Sequence, residues 1–144
     1  MTQSHETSPA LPGLPGAMGM TLHDVSAECA EVILDVRAEH LAATGFLHAG
    51  CLVTLADTAC GYGTLATLPP GGRFTTVSLA SNHLATARVG QRLSAVATPL
   101  HVGRSTQVWD ATVTTDGTDA GATVLAVFRC TQIVLDPPTV QESR

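Results

Sequence analysis

The sequence contains no lysine; its seven basic residues are all arginine, and none of them form a run. A nucleic-acid-binding chain carries a basic stripe or patch that neutralises phosphates, so that partner class is excluded. Aromatic residues are also scarce, with one Trp, one Tyr and three Phe, which leaves no platform for stacking bases. Charged residues make up 13% of the chain, where about 25% is usual. With 44% hydrophobic residues and a net charge of −5, the chain is not of the disordered class. So little charge suggests that much surface is buried, some of it by self-association. No apolar stretch approaches the ~18 residues of a membrane span, which excludes a membrane partner of that kind. The opening MTQSHETSPALPGLPGAMGM has neither a basic n-region nor an apolar h-region, and a cytoplasmic protein is expected. Cys29, Cys51, Cys60 and Cys130 show no CxxC spacing, so no metal site is expected. Cys51 and Cys60, nine apart on one helix, lie ~180° around its axis and cannot bridge. There is no GxSxG elbow for a serine nucleophile.

At 144 residues, one domain is the default. Residues 1–18, with Pro9, Pro12, Pro15, Gly13 and Gly16, read as a flexible N-terminal tail or a loosely packed arm, and residues 136–144 as a C-terminal tail. The domain between them, 19–135, opens with a short strand over 19–27 and another over 29–36. A helix over 49–67 follows, ended by Pro69, Pro70, Gly71 and Gly72. Four Val- and Thr-rich stretches, 74–84, 91–102, 105–115 and 121–134, are punctuated by Gly90, Gly103 and Asp116-Gly117. Strands in runs, without alternating βαβ units, predict an α+β fold whose single helix covers one face of an antiparallel sheet.

The helix carries the chemistry. Cys51, Leu52, Val53, Leu55, Ala56, Ala59 and Cys60 make it apolar nearly all round, which predicts burial on most sides. Its polar exceptions, Thr54, Asp57 and Thr58, sit at i, i+3 and i+4 and share one face, extended by Gly50 and Gly61. Burying an unpaired carboxylate is costly, and no Lys or Arg stands on this helix to pair with Asp57. Asp57 is therefore an exposed edge residue, a carboxylate held by hydroxyls or backbone N–H groups, or a base or nucleophile facing a wet pocket. The run Gly45-Phe-Leu-His48-Ala49-Gly50 leads into the helix. Free N–H groups at a helix start, flanked by small residues, suit a developing oxyanion.

Together, His48-Ala49-Gly50 and Leu55-Ala56-Asp57-Thr58-Ala59 resemble the HGG…LAD(T/S)A signature of the phenylacetyl-CoA thioesterase-like family, small hotdog-fold acyl-CoA thioesterases. The resemblance continues through Phe74–Asn82, Gly103-Arg104-Ser105-Thr-Gln and Ala126-Val-Phe128. It implies a long central helix wrapped by an antiparallel sheet of about five to six strands, and a homodimer joined at sheet edges, often paired into a homotetramer. It implies Asp57 as the catalytic acid residue and a backbone N–H at the position of Ala49, with Gly50 and His48 beside it, polarising a thioester carbonyl.

 The position in question is Ala49, where the family pattern has its middle glycine. No cofactor is implied, because CoA is part of the substrate. Thr54 and Thr58 on the acid's face, Asn82 and His83 on a strand, and Arg88, Arg104 and Ser105 in turns are the substrate-binding candidates, with Arg73 a further arginine suited to CoA phosphate. An Asn that relatives carry about six residues before the His is absent, and His40, Thr44 or a residue of a partner subunit are the open replacements.

One point follows from geometry alone. Asp57 lies eight residues after Ala49, or ~12 Å along a helix, so one carbonyl carbon cannot touch both groups of one chain. If both act, two antiparallel helices of a dimer must supply them, giving two sites per dimer. Two other readings stand beside hydrolysis: a hotdog enoyl-CoA hydratase or dehydratase using a His–acid pair, although Tyr62 stands where the related pattern places its His, and a non-catalytic acyl-CoA-binding module.

Overall fold

The computed structural model describes residues 10–116 and 121–135. A short helix α1 (Gly13–Ala17) precedes strands β1 (Thr21–Val25) and β2 (Ala30–Asp35), and a single 3-10 turn (Ala38–His40) leads toward helix α2 (Ala49–Thr67). Strands β3 (Arg73–His83), β4 (Arg92–Val102), β5 (Thr106–Thr115) and β6 (Val124–Leu135) follow. The six strands form one sheet in the order β1-β2-β4-β5-β6-β3, with every neighbouring pair antiparallel. This is the expected α+β arrangement of one long helix against an antiparallel sheet.

Alternation along the strands decides which residues meet the helix. Val32 and Leu34 of β2, Leu93, Ala95 and Ala97 of β4, Trp109, Ala111 and Val113 of β5, and Phe128 and Cys130 of β6 are buried on the inner face. From α2 they meet Leu52, Leu55, Ala56, Ala59 and Cys60. The helix lacks a wide polar side because the sheet curls around it. Two glycines let it come close. A Cβ on Gly61 would lie 2.9 Å from Cζ of Phe74, and one on Gly63 would overlap the six-membered ring of the fully buried Trp109.

Residues 10–18 follow the second of the two readings, a packed arm and not a flexible tail: they contain α1, and Leu11 and Met18 pack on the core just ahead of buried Met20. The Pro- and Gly-rich composition suggested a tail, but these apolar side chains give the segment surface to bury. His40 fastens it: the imidazole Nε2 bonds the Met18 carbonyl at 2.7 Å while Nδ1 accepts the Arg37 N–H at 2.9 Å. Residues 1–9 and 136–144, the remainder of the expected tails, lie outside the described residues, as does Gly117 of the expected Asp116-Gly117 turn.

The contact between Gly63 and Trp109 sets a test of the packing. Gly63→Ala should destabilise the fold by about 1–3 kcal/mol through overpacking. Denaturant unfolding followed by fluorescence of the single Trp reads it directly, and an unchanged midpoint would show that the helix can move off the sheet at that point.

Candidate active site

Asp57 projects from the middle of α2 toward the start of β3. It is half-buried, and its Oδ1 accepts a hydrogen bond from the Thr76 hydroxyl at 2.9 Å. Burial pushes its carboxyl above the ordinary carboxylate range, and the Thr76 hydroxyl draws it part of the way back. The carboxyl borders an open hollow of about 220 Å³, lined also by Pro15, Thr58, Tyr62, Leu65 and Phe74. Apart from Asp57, Thr58 and the Tyr62 phenol, this lining is apolar.

The start of α2 is the second element. His48 is the N-cap, and its Nδ1 accepts the Gly50 N–H at 2.8 Å. That bond corrects the expectation for Gly50, whose N–H is already taken by the cap and is not open to a substrate oxygen. The Cys51 N–H bonds the His48 carbonyl at 2.9 Å. The Ala49 N–H is left without an acceptor among the described residues, at the positive end of the helix. Because Nδ1 of His48 is an acceptor here, the proton of the neutral ring sits on Nε2, which makes the exposed side of the ring a donor.

The other candidates divide. Thr58 lines the Asp57 hollow, but the Thr54 hydroxyl donates to the Gly50 carbonyl one turn back at 2.8 Å, so its proton is committed to the backbone. Asn82 does not join Asp57. It pairs with Val127, which pairs with Thr112, and these face away from α2. There Ala80, Asn82, Thr112, Val127 and the Asp110–Arg129 ion pair (2.6 Å) border a separate hollow of about 370 Å³. The alternation that groups Asn82 with Ala80 and Ser78 is present, but on the outer face of the sheet. His83 stands opposite buried Ala126, on the helix side, and is itself exposed.

Arg88 and Arg104 lie at opposite ends of the sheet. Arg88 is in the β3–β4 connection, whose Thr86 hydroxyl accepts the Leu47 N–H just ahead of α2. Arg104 and Ser105 form the β4–β5 turn, where the Ser105 carbonyl accepts the Val134 N–H and nearby Gln107 reaches Thr67 at the far end of α2. Arg73 opens β3. His40, a candidate substitute for the missing Asn, has both ring nitrogens engaged in holding the backbone. All four cysteines are free; burial pushes the Cys51 thiol up, and a bond to Cys130 together with burial pushes Cys60 up further, the reverse of what a thiolate nucleophile needs.

Thr76, Pro15, Leu65 and Phe74 belong to the Asp57 site without having been singled out in the sequence. Period-2 alternation puts Phe74 and Thr76 on one face, a usable signal for those two. Nothing local marks Pro15, which reaches the hollow only through the packing of α1.

Comparison with known proteins identifies the family and the fold. Residues 44–122, which include the whole of α2, match the thioesterase superfamily. A 1,4-dihydroxy-2-naphthoyl-CoA hydrolase of Listeria monocytogenes is 32% identical over 119 residues, covering 83% of this chain and 93% of that one. Among solved structures, the phenylacetic acid degradation protein PaaI from Thermus thermophilus superposes with a TM-score of 0.74 at 26% identity, over 84% of this chain and 97% of its own. A thioesterase from Pseudomonas aeruginosa superposes with a TM-score of 0.77 at 25% identity, over 86% of each chain. The helix that carries both the desolvated carboxylate and the open N–H is thus the segment shared with these proteins, and the chain belongs to the thioesterase superfamily, as a thioester hydrolase built on the hotdog fold.

Proposed function

We propose that the chain hydrolyses an acyl-CoA thioester to the free acid and CoA, at a site shared between two subunits. The observation that carries this reading is the half-buried Asp57 carboxylate, hydrogen-bonded to a neutral hydroxyl and bordering a largely apolar hollow. The acyl carbonyl oxygen sits at the start of α2, where the Ala49 N–H and the His48 Nε2–H donate to it and stabilise the oxyanion. Asp57 of the other subunit takes a proton from water as its oxygen attacks the carbonyl carbon, or attacks that carbon itself. The C–S bond then breaks and the leaving thiolate takes up the proton that Asp57 accepted; where Asp57 itself has attacked, the thiolate takes a proton from water and a second water hydrolyses the acyl–Asp57 anhydride to the free acid. An aromatic acyl group fits the apolar lining of Pro15, Leu65 and Phe74, and a naphthoyl thioester is the substrate in the name of the Listeria relative.

The exposed surface supports a dimer. Strand β3 is an edge strand and shows Val77 and Leu79 to solvent, at 51% and 44% exposure. Edges of this kind are normally covered or paired. Exposed Phe46, Leu84 and Val89 surround the approach to α2, while Leu14 and Leu65 flank the Asp57 hollow. Antiparallel packing of two helices brings the first group of one subunit against the second group of its partner. It also brings Arg88 of one subunit to the end that carries Arg104 of the other, so that both face the phosphates of one CoA. Pairing of dimers into a homotetramer is part of the same proposal.

The hydratase reading is weaker on a specific ground. A His acting as base needs a free lone pair, and in His48 the Nδ1 lone pair holds the Gly50 N–H while Nε2 carries the proton.

Thiol release from a panel of acyl-CoA esters should therefore show turnover, and Asp57→Asn should lower it by about 10²-fold or more. Undiminished release from Asp57→Asn would remove Asp57 from the reaction. The same substitution should raise the melting temperature at neutral pH. A carboxyl whose folded-state pKa is raised loses stability for the fold as pH rises through that value, and the neutral amide avoids this loss.

The shared site has its own test. Ala49 is the first helical residue and His48 before it is extended (φ −65°, ψ 130°), so Ala49→Pro removes the N–H without opposing the helix. Ala49→Pro and Asp57→Asn should each be inactive alone. When they are unfolded and refolded together, random pairing makes half of the dimers mixed with one intact site in each, and about a quarter of wild-type activity should return. A mixture that stays inactive would overturn the shared site, and with it the pairing of the Ala49 N–H and Asp57 in one reaction.

A further inference from the structure

One wall of the Asp57 hollow takes no part in the chemistry proposed above, yet it bears on what the hollow admits. The α2 face from Asp57 to Leu65 and Phe74 of β3 supply most of the lining, and Pro15 is the one lining residue from outside those two elements. Pro15 also lies ahead of residues 44–122, the stretch that matches the thioesterase superfamily. The floor of the hollow and the β3 side thus belong to the shared fold, and the remaining wall comes from a separate segment.

A helix as short as α1, five residues long, has no stability of its own. It is braced on both sides. Leu11 and Met18 pack on the core, and Met20 is buried. A Cβ on Gly16 would overlap the Leu11 carbonyl oxygen, so Leu11 folds back over α1. The Met18 and Met20 N–H groups bond the Leu14 and Pro15 carbonyls at 3.0 and 2.9 Å. Pro15 is half-buried between these braces. Its ring fixes φ, its nitrogen carries no proton, and its carbonyl is taken by Met20. The wall that it offers the hollow is a stiff patch of carbon with no free N–H.

The other apolar walls are less suited to setting the size of the hollow. Phe74 sits against Gly61, where helix and sheet touch, and Leu65 is 43% exposed. The α2 face between Asp57 and Leu65 runs ~12 Å. The hollow of about 220 Å³ suits a compact acyl body standing against a stiff wall. A long linear chain overruns it into solvent, where further methylenes gain no burial. We propose that Pro15 is the specificity-determining residue of the acyl hollow: its ring sets how large an acyl group the site buries, and it favours compact apolar acyl groups over long linear chains. This inference rests on the reading that the acyl group of a CoA thioester lies beside Asp57.

The test is a series of esters given to the full chain, hexanoyl-, benzoyl-, naphthoyl- and hexadecanoyl-CoA, with kcat/KM for thiol release compared within the series. The wild type should favour the aryl esters over hexadecanoyl-CoA. Pro15→Ala removes the ring, and the N–H that it introduces falls in the first turn of α1, where such groups have no helical partner in any case. It should raise the naphthoyl-to-benzoyl ratio by about tenfold, the effect of a methylene or so in an apolar pocket. Pro15→Phe fills the hollow and should lower the same ratio by about tenfold. Pro12→Ala, in the same segment but exposed and away from the hollow, should leave the ratio unchanged. Preference of the wild type for hexadecanoyl-CoA, a ratio that neither Pro15 variant moves, or a Pro12→Ala ratio that follows Pro15→Ala would each overturn the proposal. Kd values for the non-hydrolysable thioether analogues give the same ordering independently of turnover. Failure of the hydrolytic reading looks different: no ester releases thiol, or Asp57→Asn matches the wild type, whatever the order of acyl preference.

Discussion

The close approach of α2 to the sheet is the constraint on which the rest of this structure depends. Gly61 against Phe74 and Gly63 against Trp109, on opposite flanks of the helix, leave no room for a side chain at either point. A helix held this tightly cannot turn to expose whichever residue is most polar. Asp57 is consequently carried into a desolvated position that an isolated helix would never choose for it. The result is a carboxylate more basic than usual, oriented by a hydroxyl and bordered by apolar walls. Such a group is costly for folding and useful for proton abstraction or attack.

The same helix offers two different kinds of group to the proposed reaction. At its start the chemistry is backbone chemistry: His48 occupies the Gly50 N–H and leaves that of Ala49 open. In its middle the chemistry belongs to a side chain. A rigid helix keeps these two features ~12 Å apart, too far for one carbonyl group to touch both, and under the proposed mechanism they act in the sites of different subunits. Edge strand β3, with its uncovered apolar residues, lies on the side of the molecule where Asp57 emerges.

Much of this was legible in the residues. Helix α2 announces itself through its apolar run and the Pro-Pro-Gly-Gly stop, and the four later strands through Val and Thr between turn glycines. The family signature placed His48, Ala49 and Asp57 on that helix. Sequence reasoning went astray where the answer depended on facing or on partners far along the chain. Asn82 was on the expected strand but on its outer face, because the irregular register between Thr76 and Ser78 shifts the alternation that relates it to the site. Gly50 looked open because nothing in a sequence shows that the preceding histidine will fold back on its N–H. Pro15 looked like tail because its role comes from tertiary packing and has no local signature.

His40 gives this last point a mechanical side. Its ring holds the Met18 carbonyl and the Arg37 N–H, and its own carbonyl accepts the His48 N–H at 2.9 Å. One side chain and its peptide therefore join the strap that bears Pro15 to the segment that presents Ala49. These two segments border the Asp57 hollow and the start of α2. Any loosening of this joint is felt by both, so the wall of the hollow is no more independent of the helix entry than two leaves on a single hinge pin.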